Sequence, residues 1–461
     1  MCGIVGVYGG PEVVRTTIEA LYMVDHRGGQ GIGIAVSDGK RFLVHHSLGS
    51  VMNPEDEAKI AAIQPARVAV GHMRYGTAGD RDSIHNVQPL LIPSPYGDFW
   101  VAHNGDTPGD TEEFRAPLLK MGVTFTSTTD TEVLAQYIAT SQAADLKGAM
   151  LDALARVPSA FALVMATPNA LIGCRDPRGF RPLSLGRLDG GWILASETCA
   201  FDMIHAEHVR DIEPGELLWI DEKGPRSQHF GDTTLQHWQC VFELIYFSRP
   251  DSTVFGRPVY EFRIASGVQL AKEHPIPTGK RALIFGVPDS AMFAAEGYTK
   301  ALRRPLSQSL IRHHRERTFT MSEQKRRESG VREKFNPIRH RIRGKWCYVI
   351  DDSIVRGTTM RRLVSMLKQN GAAGVTVLIA SPPIAHPCFF GIDMKEYTEL
   401  RAAIAGGNID TIREFIGADE LHYLSFEGLQ GIVGDSNNYC FACFNGKYAF
   451  GRETQRLPSD P

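Results

Sequence analysis

Between residues 2 and about 222, apolar residues fall in short or alternating runs, at 31–37, 68–71, 160–166, 192–196 and 216–220. Runs of this length bounded by turn formers predict strands. Segments 11–24 and 131–140 carry apolar residues at helical spacing, with Asp130 placed to cap the second. The pattern predicts a sheet-rich, layered α+β unit. Segment 223–239 is polar and rich in turn formers, which predicts a linker. Beyond it, strand-like 281–286, 347–350 and 375–380 alternate with helical 291–302 and 360–370. That order predicts an α/β unit with a parallel sheet, whose ligands gather at the carboxyl ends of the strands. Two domains follow, 2–232 and 233–461, with no internal repeat. The run 312–343 is strongly basic and poor in apolar positions, and reads as a solvated surface or as a flap over an anionic substrate.

Composition narrows the function classes. At roughly 100–200 residues per domain, 461 residues fit two to four, and 43% hydrophobic content supplies their cores. Lys plus Arg (50) nearly balance Asp plus Glu (52), so no global field draws the chain to nucleic acid or an anionic membrane. The longest apolar runs, 347–350 and 375–380, fall far short of the ~18 residues that cross a bilayer. The N-terminus lacks the basic and apolar regions of a secretory signal, which predicts a cytoplasmic protein with its eight cysteines reduced. In that setting paired cysteines suggest catalysis or metal more than disulfides.

Candidate chemistry begins at the second residue. Removal of Met1, which a small following side chain permits, would leave Cys2 with a thiol and a free α-amine. An amine with a pKa near ~7.7–8.0 can take the thiol proton, so one residue supplies nucleophile and base. Downstream stand His26-Arg27-Gly28, Gly71 to Thr77, His103-Asn104-Gly105 and Ser127 to Glu132. Singly, Asn104-Gly105 also reads as a hairpin turn and Asp130 as a helix cap. Together they resemble the class II glutamine amidotransferases, whose fold is the N-terminal-nucleophile hydrolase sandwich (αββα). The resemblance implies that Arg74 meets the glutamine carboxylate and Asp130 its ammonium, that Arg27 is a further pocket residue, and that Asn104 and Gly105 hold the oxyanion. Gly29-Gln30 depart from the Gln-Asp or Gln-Glu usual in that family, and Asp106 stands where an Asn is usual.

The strand at 347–350 runs into Asp351-Asp352-Ser353-Ile354-Val355-Arg356-Gly357-Thr358-Thr359, and a helix is expected from about Met360. Loop amides, Thr hydroxyls and a helix N-terminus converge there on an anion, and the adjacent carboxylates can take ribose hydroxyls or their Mg²⁺. The nonapeptide resembles the phosphoribosyl pyrophosphate (PRPP) signature of type I phosphoribosyltransferases, an α/β fold, in the form found in amidophosphoribosyltransferases. By the same resemblance Asp289 and Ser290 belong to a pyrophosphate loop, Ser290 joins Asp351 and Asp352 as a Mg²⁺ contact, and Lys334 meets the pyrophosphate. The family flap reads approximately Lys-Asn-Arg-Tyr-Val-Gly-Arg-Thr-Phe. Here Arg312 to Phe319 is one residue shorter and lacks the tyrosine and glycine.

Cys440 and Cys443 form a C-x-x-C, which alone fits a redox pair, a zinc half-site or an iron–sulfur half-site. Cys240 and Cys388 sit where cluster-bearing amidophosphoribosyltransferases have ligands, so the resemblance implies a [4Fe–4S] cluster on Cys240, Cys388, Cys440 and Cys443, with zinc the runner-up. Its role would be structural. Cys174, Cys199 and Cys347 lie in or near apolar runs and read as core thiols.

The resemblance spans nearly the whole chain, including 175–183, 196–198 and 246–252. It implies an enzyme that makes 5-phosphoribosylamine from glutamine and PRPP, opening purine synthesis, a homo-oligomer inhibited by purine nucleotides. Two alternatives are a specialised paralogue using the same half-sites in another pathway and a PRPP- or nucleotide-sensing protein without transfer.

Overall fold

The computed structural model describes the chain except for residues 41, 64, 77–78, 108–110, 158, 233, 278–281, 313–334 and 451–461. Among the described residues, the first half builds two antiparallel sheets. One runs Glu207–Asp211, Ser184–Leu188, Gly191–Ala195, Gly3–Gly9, Val68–Arg74, Gly31–Ser37, Phe42–Leu48; the other Gly224–His229, Glu216–Asp221, Ala170–Arg175, Ala160–Thr167, Phe99–Asp106, Leu90–Ile92.

The layering follows from side chains alternating across each strand. Ile4 and Tyr8 of the first strand meet Ala162, Val164 and Ala166 in a core between the sheets. Val5 and Val7 turn the other way, onto Val14, Ile18 and Leu21 of the helix Val13–Met23. Phe161, Leu163 and Met165 turn outward beneath the helices Asp130–Ala139 and Leu146–Arg156. Helix, sheet, sheet, helix is the expected αββα sandwich.

Two local expectations are corrected. Gly224–His229, read as linker, is an edge strand paired with Glu216–Asp221. An edge strand facing solvent needs no apolar run, so its polarity hid it. The cap of the helix Asp130–Ala139 is Thr129, whose hydroxyl accepts from the Glu132 amide at 3.4 Å, and Asp130 is the first helical residue.

The second half centres on a parallel sheet ordered Ala282–Gly286, Trp346–Asp351, Gly374–Ile379, Glu420–Tyr423. Ile284, Tyr348 and Ile350 face the helices Val259–Glu273 and Met292–Leu302, and Phe285, Cys347 and Val349 face the helices Thr358–Gln369 and Ile409–Ile416. Burial on both faces explains the unbroken apolar runs of these strands. Near the C-terminus Tyr439–Cys440 pairs in parallel with Gln239–Cys240, placing Cys240 opposite Cys440. Among the described residues no helix is long and apolar enough to cross a membrane.

Candidate functional site

Cys2 enters the first strand of the sandwich, buried at 7% exposure. Its nitrogen lies 3.2 Å from Asn104 Oδ1, and its Sγ contacts the Tyr75 amide at 3.4 Å and the Tyr75 carbonyl at 3.5 Å. With Oδ1 so engaged, Asn104 presents its Nδ2 as a buried donor that lacks a partner among the described residues. A buried donor without a partner costs free energy, which a transient anion would recover. Met1 is buried ahead of Cys2, and burial pushes its amine down to about 5.

Arg27 lies behind the nucleophile. Its Nε donates to the Cys2 carbonyl at 3.0 Å, and the rest of the guanidinium is taken by Glu197 and by both oxygens of Glu243, at 2.9 and 3.1 Å. Arg27, Glu197 and Glu243 are wholly buried, and His26 reaches Glu197 at 2.8 Å. Burial alone would raise the Glu197 carboxyl, but Arg27 and His26 more than offset it and hold it well below the usual range. These bonds engage all three guanidinium nitrogens, and through Nε Arg27 holds the backbone of Cys2.

Arg74 ends its strand with its guanidinium donating to the carbonyls of Asn86 at 2.5 Å and Asp80 at 2.9 Å. Thr129 caps the helix, and the Asp130 carboxylate accepts the Thr131 amide at 2.9 Å and the Thr107 amide at 3.0 Å. Arg74 and Asp130 interact electrostatically with each other, and Arg74 also with Cys2. The sandwich thus brings Cys2, Arg74, Asn104, Gly105 and Asp130 around one place.

Asp351 and Asp352 stand at the carboxyl end of Trp346–Asp351, and the helix after them starts at Thr358, two residues earlier than expected. Gly357 turns the chain into that helix at φ 75°, a left-handed conformation that favours glycine. Asp352 is buried, which raises its carboxyl, while Ser290, Ser353 and Arg263 pull the other way; the Ser353 hydroxyl donates to it at 2.8 Å. Residues Asp289, Ser290 and 351–360 line a cavity of about 410 Å³. Arg356 is paired with Glu399 at 2.7 Å and Arg312 with Asp289 at 2.8 Å. Lys334 and residues 313–319 lie outside the described residues. Tyr75, whose backbone touches the Cys2 sulfur, also lines this cavity.

Cys240, Cys388, Cys440 and Cys443 are buried free thiols. Burial raises the Cys443 thiol, and Cys440, Cys240 and Cys388 are each near enough to raise it further. The amides of Ala385 and His386 both donate to the Cys443 carbonyl at 3.1 Å, which joins the Cys388 turn to the C-x-x-C. Among the described residues, no group of three or more His, Cys, Asp or Glu side chains is drawn together closely enough to hold a metal ion. Cys174, Cys199 and Cys347 are fully buried core residues.

Sequence reasoning did not single out Glu197, Glu243, Arg181 or Lys395. Glu197 and Arg181 lie in segments that carried the family likeness, but only the fold shows that Arg27 joins Glu197 to Glu243 and that Arg181 reaches Glu243. Arg181 donates to the Phe390 carbonyl at 2.8 Å and reaches Glu243 at 3.4 Å.

Residues 72–203 match the family model described as a glutamine amidotransferase domain. The chain is 42% identical to the amidophosphoribosyltransferase of Synechococcus elongatus, over 97% of this chain and 91% of that one. It is 40% identical to the amidophosphoribosyltransferase of Bacillus subtilis, over 97% and 94%. A solved structure of the B. subtilis glutamine PRPP amidotransferase complexed with ADP and GMP superposes with a TM-score of 0.89 at 38% identity, over 99% of each chain. The chain belongs to the amidophosphoribosyltransferase family, enzymes that use glutamine and PRPP to make 5-phosphoribosylamine at the first step of purine biosynthesis.

Proposed function

We propose that the residues assembled here divide the family reaction between two half-sites. Arg74 meets the α-carboxylate of glutamine and Asp130 its ammonium. With Met1 removed, the Cys2 amine takes the thiol proton and Sγ attacks the amide carbon. Asn104 Nδ2 and the Gly105 amide hold the oxyanion. Its collapse breaks the C–N bond, ammonia leaves, and water cleaves the thioester to glutamate. At the second site the amides and hydroxyls of Ser353, Arg356, Gly357, Thr358 and Thr359 hold the PRPP phosphate at the helix N-terminus, while Asp351 and Asp352 orient the ribose. Asp289, Ser290 and Lys334 attend the pyrophosphate. Ammonia forms the new C–N bond at C1 as pyrophosphate departs.

The observation that carries this reading is Tyr75: its backbone touches the nucleophilic sulfur and it lines the phosphoribosyl cavity. Ammonia is mostly protonated in neutral water, so a short protected path raises its effective concentration at C1.

The donor sets fit two resident groups. Ser290, Asp351 and Asp352 are hard oxygen donors suited to Mg²⁺, which supplies charge neutralisation for pyrophosphate. Cys240, Cys388, Cys440 and Cys443 are a thiolate set suited to a [4Fe–4S] cluster, with tetrahedral zinc as the runner-up, and the bound group would tie the linker edge to the C-terminal tail. What supports this is the backbone: Cys240 pairs opposite Cys440, and the Ala385 and His386 amides join the Cys388 turn to Cys443, although the thiols are not drawn together into a metal-holding group among the described residues. The ADP and GMP of the Bacillus complex support purine nucleotides as ligands, which would act here as inhibitors; the enzyme would be a homo-oligomer.

Incubating the purified enzyme with glutamine, PRPP and Mg²⁺ should yield glutamate and pyrophosphate in equal amounts, and glutamate without pyrophosphate would overturn the transfer half. Iron and acid-labile sulfide in the brown purified protein support the cluster, whereas a colourless protein with zinc rejects it.

A further inference from the structure

One segment, Gly391 to Glu399, crosses from the phosphoribosyl unit onto the sandwich. Gly391, at φ 109°, lies so close to Gly105 that a Cβ there would sit 3.0 Å from the Gly105 carbonyl carbon. Asp393 pairs with Arg81 at 2.8 Å. Four residues after Gly391, Lys395 places its Nζ 2.6 Å from Asp106 Oδ2. Asp106 directly follows the Asn104-Gly105 pair and is buried, 4% exposed, as is Asp130.

The place holds one carboxylate more than glutamine requires. An amino acid zwitterion needs one anion for its ammonium and one cation for its carboxylate, which Asp130 and Arg74 supply. Asp106 adds a second anion near Asp130 in a poorly solvated site, and the like charge disfavours ionisation of Asp106. Burial and Asp130 push the Asp106 carboxyl up to about 7, and Lys395 pulls against both. Asp106 in turn raises the Lys395 ammonium against the effect of burial. An unmatched anion there would also oppose negative charge developing at the Gly105 amide.

We propose that Lys395 is a positioning residue of the glutamine site, supplied by the phosphoribosyl unit, whose ammonium cancels Asp106 so that Asp130 alone meets the substrate ammonium. The inference rests on the glutaminase assignment above and deepens it. Each member of the pair is harmful without the other. Asp106→Asn leaves the Lys395 ammonium to compete with glutamine for Asp130. Lys395→Met leaves a buried carboxylate that must take up a proton or repel the oxyanion. Removing both returns the site to neutrality.

The test is a double-mutant cycle on the full-length enzyme as purified, measuring kcat and KM for glutamine and the ratio of glutamine-driven to ammonia-driven product. Asp106→Asn should raise the glutamine KM about tenfold, by charge competition, and Lys395→Met should lower kcat/KM for glutamine about tenfold. The double variant should recover to within about threefold of the wild type. A pair that served only to brace the fold would instead lower the urea midpoint of each single variant and depress ammonia-driven product along with glutamine-driven product, because an unpaired buried charge destabilises the whole unit. The proposal fails if either single variant stays within about twofold of wild type, or if the double is as poor as the worse single. A wild-type enzyme that released no glutamate from glutamine would instead refute the glutaminase assignment itself.

Discussion

Around Cys2 the charged side chains are buried and paired: Arg27 lies between Glu197 and Glu243, and Arg181 reaches Glu243, all with no exposed side-chain surface. Around the Asp351 to Thr359 loop, Arg356 is 50% exposed, Arg312 40% and Asp289 65%. Buried ion pairs lose in desolvation much of what they gain in attraction, so their net stabilisation is small and their effect is to fix geometry. Half-exposed pairs are worth about 0–1 kcal/mol each and are easily exchanged for a ligand's phosphates. In the proposed mechanism the glutaminase half must hold a thiol, an amine and two oxyanion donors before substrate arrives. The phosphoribosyl half gains much of its charge from the substrate it binds, and its loop amides need only be presented.

If that contrast is right, substitutions in the closed site act on chemistry or on the whole fold, and those in the open site act on affinity. Cys2→Ala has the largest expected effect: glutamine-driven product should fall on the order of 10⁴-fold or more while ammonia-driven product persists, measured as 5-phosphoribosylamine formation. Loss of both would sink the separation of the two sites. Survival of both would remove Cys2 as nucleophile.

Glu197→Gln comes next, because breaking a buried pair from one side costs about 3–5 kcal/mol. Its pH signature follows from the depressed carboxyl. Stability from a depressed acid is fully present above its ordinary value of 4.5 and is lost as pH falls toward the lower folded value. Wild-type urea midpoints should therefore drop on acidification below about 4.5, with a shallower fall in Glu197→Gln. Equal slopes would mean that the network does not hold Glu197 ionised. Asn104→Ala follows, with glutamine-driven kcat expected to fall about 10²–10³-fold and the KM for glutamine to move much less. A change confined to KM would place Asn104 in ground-state binding.

The same contrast governs what the sequence reveals. The layers and the parallel sheet are legible in it, and the residues proposed for both half-sites can be picked out because Cys2, Asn104-Gly105 and Asp351 to Thr359 are each contiguous on single strands or turns. The network of Arg27, Glu197, Arg181 and Glu243 is not, since it joins four distant segments and no local pattern states that they meet. Arg27 accordingly reads as a pocket residue in the sequence, although its guanidinium holds the Cys2 carbonyl. Gly224–His229 reads as a linker because a solvated edge strand carries no apolar signature. Asp106 is visible as an oddity, but its partner Lys395 lies in the other unit and only the fold joins them. Lys334 lies outside the described residues.

The smallest effect is expected at Thr358, the first residue of the helix after the phosphate loop. Thr358→Ala removes one hydroxyl donor to a charged phosphate, a loss of about 1.5–3 kcal/mol at most, reduced here because neighbouring amides and water share the load. The KM for PRPP should rise about tenfold, with ammonia-driven kcat changed less than that. Gly357→Ala is the informative companion, since its φ of 75° opposes any side chain and the substitution distorts the amides themselves. It should weaken PRPP binding more than Thr358→Ala does. Were Thr358→Ala to reduce kcat as severely as Asn104→Ala, the phosphoribosyl loop would have to be as rigidly preorganised as the nucleophile site, and the division between a closed site built for chemistry and an open one built for capture would fail.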